Sequence, residues 1–160
     1  LPAKNRMQLI REAQTLDELY AIVPQPIDCT GECWDSCGPI GYSVEEGERM
    51  DAIGRRPPNA HERRHRLMCS ALTKDHKCSV YEARPMICRL WGVSETMPCP
   101  HGTPDKPCWT AFPLTPEESA ALLGRAQEIG GTPEGVRQRY MIKHDDLTEI
   151  IRRKPSSWDL

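Results

Sequence analysis

The stretch Cys29-Thr30-Gly31-Glu32-Cys33-Trp34-Asp35-Ser36-Cys37, continued by Gly38-Pro39-Ile40-Gly41-Tyr42-Ser43-Val44-Glu45-Glu46, decides how this chain is read. Its first part is a polar, glycine-containing loop with three cysteines, each separated from the next by three residues. Its second part is a capping box. A Ser followed three residues later by Glu satisfies two orphan N–H groups at a helix start, so a helix is predicted from Val44 to about Ile53. A thiol-bearing loop feeding directly into a capped helix predicts a mainly α protein with an irregular, metal-stabilised, cysteine-rich centre.

Composition points the same way. Leu, Ile, Val and Phe together number 28 of the 160 residues, with a single Phe. That falls below the roughly 20% at which a chain usually supports itself by apolar burial alone. Eight cysteines and 15 prolines stand against this. A thin core with many cysteines predicts cross-linking by metal or disulfide. Leu1 to Arg11 is mixed and charged, without the apolar middle of a secretory signal. No apolar run approaches a membrane span. A cytoplasmic location is therefore expected, and there thiols serve as metal ligands more often than as disulfides. The formal net charge of −2 gives no global basic field for nucleic acid or membrane.

Helices are expected on either side of the cysteines. Residues 3–22 carry apolar side chains at helical spacing, and Thr15-Leu16-Asp17-Glu18 is a second capping box that starts a new helix at Leu16. Pro24 and Pro26 end it. Only short helices are predicted in the centre, near Val80–Ala83 and Pro85–Trp91, with no confident sheet. Thr115-Pro116-Glu117-Glu118 opens a longer helix over 116–129, with Leu122, Leu123, Ala126 and Ile129 inward, stopped by Gly130-Gly131. Two further helices are expected after Thr132. The chain thus divides into an N-terminal helical segment (1–26), a cysteine-cluster core (27–112) and C-terminal helices packed on it (113–160).

The remaining cysteines are Cys69, Cys78, Cys88, Cys99 and Cys108, separated by long gaps, and no Cys-x-x-Cys occurs. Structural zinc sites usually draw their ligands from short knuckles. Two tandem three-residue gaps instead place three thiolates around one object, as a loop around a several-iron cluster does, with a fourth thiolate from distant sequence. Cys29, Cys33, Cys37 and Cys88 form the first set expected, with Cys69 and Cys78 next. Eight thiols also suffice for two four-thiolate sites. His76 and His101 lie near cysteines but are read as solvated.

The segment from Cys69 to Trp91, with Cys78-Ser79-Val80-Tyr81-Glu82-Ala83-Arg84-Pro85-Met86-Ile87-Cys88-Arg89 at its heart, resembles the signature of the YkgJ-like cysteine-cluster family, also described as zinc- or iron-chelate-binding proteins. The family pattern continues upstream as Cys-x-x-x-Cys-x-x-Cys-Cys before a capped acidic helix. Cys29, Cys33 and Cys37 match its first, second and last cysteines. Ser36 stands where the family has the other, so Cys99 and Cys108 become candidates to replace it. The resemblance covers about residues 28–92 and implies metal binding, iron–sulfur in some members.

Within that signature, Arg84 and Arg89 flank Cys88. They are candidates to donate N–H bonds to cluster sulfurs or to offset thiolate charge. Tyr81 is expected in the core, its hydroxyl bonded to backbone. The expected function is that of an iron–sulfur protein, with a four-iron cluster, in electron transfer, redox sensing or as a partner subunit. The alternatives are a zinc-stabilised module that binds protein or nucleic acid, and an iron–sulfur enzyme with an open metal position. A protein partner is expected. The basic stretch 55–66 offers phosphate contacts but is read as a solvated loop. No P-loop, dinucleotide fingerprint, zinc-protease helix or nucleophile elbow occurs.

Overall fold

Each of the three capping boxes read from the sequence starts a helix. A computed structural model of the chain describes residues 5–26, 29, 34, 37–38, 40–57, 68–101, 105 and 110–133. Helix α1 covers Arg6–Glu12, α2 Leu16–Ile22, α3 Val44–Asp51, α4 Met86–Leu90 and α5 Pro116–Gly130. A short 3-10 turn, Tyr81–Ala83, precedes α4. Thr15, Ser43 and Thr115 cap α2, α3 and α5, each in a reciprocal box with Glu18, Glu46 and Glu118. The mainly α expectation holds. Among the described residues no β-strand forms, only isolated bridges at Leu72–Cys78, Ser94–Met97 and Ser94–Leu114. No described helix is long and apolar enough to cross a membrane. The helices expected after Thr132 lie outside the described residues.

Helix α5 is the platform, because α1, α2, α3 and α4 all touch it. The main core gathers Ile10, Leu16, Leu19, Met86, Leu90, Val93, Leu114, Leu122 and Ala126, all nearly or fully buried. Leu123 and Ile129 pack partly buried against it. Helix α4 thus belongs to the helical core, although it lies in the middle of the cysteine-rich sequence. A second, smaller core of Tyr42, Met50, Ala71 and Val80 has Ile40, Cys69, Cys78 and Ala83 packed on it.

Two of the capping carboxylates are buried and do a second task. Glu118 accepts from Thr115 N at 3.0 Å and pairs with the buried Arg6 at 3.3 Å. Arg6 also donates to the carbonyls of Phe112 and Pro113, tying α1 to the entry of α5. Glu46 is 1% exposed. One of its oxygens accepts from Ser43 N and Oγ, and the other from Tyr20 Oη at 3.0 Å and Met86 N at 2.7 Å. A single carboxylate therefore joins α2, α3 and the first turn of α4. At the far end of α1, Arg125 closes the helix by donating Nε and Nη2 to Ala13 O.

Helices α5 and α3 meet end to end. Val44 N donates to Gly131 O at 2.9 Å, and Gly131 takes φ +85°, which suits glycine. A Cβ at Gly130 would collide with Ser43 Oγ and Cβ, whereas Gly124 faces open space. Gly130→Ala should therefore destabilise the fold by about 1–3 kcal/mol, and Gly124→Ala should stabilise it by up to about 1 kcal/mol. Urea melts of the two variants check this, and equal effects would contradict the end-to-end contact. Glu46→Ala strands four donors and should cost about 3 kcal/mol, while Glu46→Gln keeps one acceptor oxygen and should cost clearly less. The same melts rank the two, and a neutral Glu46→Ala would show that the carboxylate bears no strain of the fold.

Candidate metal centre

Residues 69–79 double back on themselves. Thr73 N donates to Lys77 O at 2.8 Å, Ser79 N to Ala71 O at 2.8 Å, and Leu72 bridges Cys78. Cys69 and Cys78 thus sit on the two arms of one turn. Its tip carries His76 at φ +59°, a left-handed conformation unusual for a side-chain-bearing residue. The first cysteine loop reaches this turn twice. Cys69 N donates to Cys37 O at 3.1 Å, and the Trp34 ring stacks on His76 with centroids 3.6 Å apart and planes 3° apart. Cys88 arrives separately, in the first turn of α4 behind Pro85.

The electrostatics show that these thiols share one neighbourhood. Desolvation pushes the partly buried Cys88 thiol up to about 12; Cys69, Cys78 and Cys37 push the same way, and the Arg84 guanidinium opposes them. Burial also raises Cys69, helped by Cys78, whereas the backbone N–H groups of Ala71 and Leu72 favour its thiolate. Four thiols within electrostatic reach of one another, backbone N–H groups at Cys69 and the Arg84 guanidinium acting on Cys88 are the kinds of group that hold a thiolate and offset its charge. Among the described residues, no three His, Cys, Asp or Glu side chains stand close enough to hold one metal ion.

Six of the eight expected cysteines and both arginines lie among the described residues. Cys37, Cys69, Cys78 and Cys88 come together, while Cys29 is exposed and Cys99 partly buried. Cys33 and Cys108 lie outside the described residues. Arg84 faces Cys88 and lays its guanidinium 3.7 Å from the Tyr81 ring centre. Arg89 instead lies 3.9 Å over the Tyr20 ring and donates to the carbonyls of Arg84 and Glu82, so it braces the chain just before Cys88. Tyr81 corrects one expectation. It is 52% exposed because Val80, 2% exposed, takes the inward position of the turn. The Trp34–His76 stack and the wider reach of Glu46 were missed by sequence reasoning. Trp34, an aromatic among small polar loop residues, was the available signal for the first. Nothing in the sequence marks Glu46 beyond its capping box.

Searches of family models, of curated proteins and of solved structures found no match to the chain.

In the metal-free, reduced protein the exposed Cys29 should be alkylated first and Cys88 last. The raised Cys88 thiol withholds its reactive thiolate at ordinary pH, so its labelling should accelerate only as pH climbs past the usual thiol range. Timed iodoacetamide labelling read by mass spectrometry checks this, and comparable rates at Cys29 and Cys88 near neutral pH would contradict the placement.

Proposed function

We propose that this chain is a cytoplasmic iron–sulfur protein whose four-iron cluster serves electron transfer, redox sensing or a partner subunit's chemistry. The observation that carries the reading is the convergence of Cys37, Cys69, Cys78 and Cys88 from three separate segments, a loop, a turn and a helix. Cys69 and Cys78 pack on the smaller core, but Cys37 and Cys88 reach them from a separate loop and helix, which filling that core does not require. The two tandem three-residue gaps of the first cysteine loop favour a cluster over a lone zinc ion, whose structural sites usually draw their ligands from short knuckles.

The chain's own part in that chemistry is positional. Glu46 and Pro85 fix the start of α4 and hence Cys88, and the 69–79 turn fixes Cys69 and Cys78. When bound, the cluster supplies a one-electron couple. Arg84 would offset the negative charge of the thiolates, and the Ala71 and Leu72 amides favour the Cys69 thiolate against the burial that raises its pKa.

Anaerobically purified protein should be brown and contain about four iron and four sulfide per chain. Cys88→Ala should lower metal affinity by about tenfold or more. Metal and sulfide analysis with electron paramagnetic resonance checks both. A colourless protein with one zinc per chain would replace this reading with that of a zinc-stabilised module, and full metal content in Cys88→Ala would remove Cys88 from the site.

A further inference from the structure

The chain's charge is unevenly distributed, and the imbalance centres on the cysteines. Residues 53–90 hold nine Lys or Arg against three Asp or Glu, a formal +6, although the whole chain is −2; the rest therefore carries −8. The described part of that segment holds six Lys or Arg against two Asp or Glu; Arg55, Lys74 and Lys77 are exposed, as are Asp75 and Glu82, and the two lysines lie on the turn that carries Cys69 and Cys78. Gly54 lies against Ser79 O, with an added Cβ only 2.8 Å away, which draws Ile53 and Arg55 alongside this turn. Ile53 and Tyr81 are each 52% exposed, and the Tyr81 ring is covered on one face by Arg84 instead of by the core.

Exposed aromatic, aliphatic and arginine side chains alongside one turn are the residue types that anchor protein interfaces, and the excess of positive over negative charge among them steers an acidic partner. Ile53 has no ring for a base to stack on, and one face of the Tyr81 ring is already taken by Arg84, so these residues lack the open aromatic platforms on which single-stranded nucleic acid stacks.

We propose that the face formed by Ile53, Arg55, Lys74, Lys77, Tyr81 and Arg84 docks an acidic protein partner beside the thiol cluster. This rests on the metal-centre reading for its purpose but not for its existence. A partner seated here lies against the turn that holds two of the four thiols, the position from which electrons pass in or out of the centre. The net charge of the chain predicts the opposite preference, so the local field and the global charge make different forecasts.

The test uses the full chain as purified, with fluorescently labelled polyglutamate and poly(U) RNA as probes. Polyglutamate should bind at low salt and release steeply as salt rises. The Lys74→Glu/Lys77→Glu double variant should bind it about tenfold more weakly while keeping parental metal content and circular dichroism. Tyr81→Ser, which leaves the charges in place, should also bind more weakly. No polyglutamate binding, or equal binding by parent and double variant, overturns the proposal. Tighter binding of poly(U), weakened by the same double variant, assigns the face to nucleic acid and overturns it as well.

A second arm reads the field at the centre itself. One electron leaves the reduced centre and converts cobalt(III) to cobalt(II) in either the anionic EDTA complex or the cationic tris(phenanthroline) complex. Added salt should slow the anionic oxidant and speed the cationic one; the reverse signs overturn the placement of the face at the centre. Protein that purifies without redox-active metal defeats the iron–sulfur reading alone, and the polyglutamate arm then decides the docking face.

Discussion

The buried carboxylate of Glu46 is the constraint on which the arrangement depends. A carboxylate with 1% exposure is sustained only by donors on both oxygens, and here it has Ser43 N and Oγ on one, Tyr20 Oη and Met86 N on the other. The Tyr20 hydroxyl, its pKa raised by burial and by Glu46, stays a donor. The guanidiniums of Arg89 and Arg49 lie 3.9 and 5.9 Å from the same ring. These contacts come from three different helices and their caps, so moving any one of them leaves a buried group without a partner.

The thiols inherit their positions from this node and from the small core beneath them. Met86 N is held by Glu46, and Cys88 follows within the same turn of helix. Cys69 and Cys78 are partly buried against Tyr42, Met50, Ala71 and Val80, with Met50 supplied by α3, the helix that Glu46 caps. The described framework is therefore apolar and hydrogen-bonded, and the metal proposed above would act on the cysteine loop and turn.

Much of the helical frame was legible because its signals are local. Ser43, Thr15 and Thr115 cap within three residues, and Pro116 and Gly131 mark the two ends of α5. Leu122 and Ala126 were readable as inward from spacing alone. What the sequence did not show depends on pairs distant along the chain: Arg6 with Glu118, Glu46 with Tyr20 and Met86, Trp34 with His76. Tyr81 was misplaced for a related reason, since only the packing of Val80 decides which residue of a three-residue turn points inward. For the cysteines, loop spacing groups Cys29, Cys33 and Cys37 with Cys88, of which Cys33 lies outside the described residues, while the nearness of Cys69 and Cys78 to Cys37 and Cys88 depends on the chain reversal at 69–79, which no local pattern in the sequence marks.

A helical frame standing without metal, and a cysteine turn completed by it, are separable by amide hydrogen exchange on the protein before and after chelation. The Met86 amide, bonded to Glu46, should keep its protection in both states, while the Cys69 amide, bonded to Cys37 O, should lose protection when metal is removed. Loss of Met86 protection together with that of Cys69 would contradict the account, because it would make metal the support of the helical core as well as of the turn.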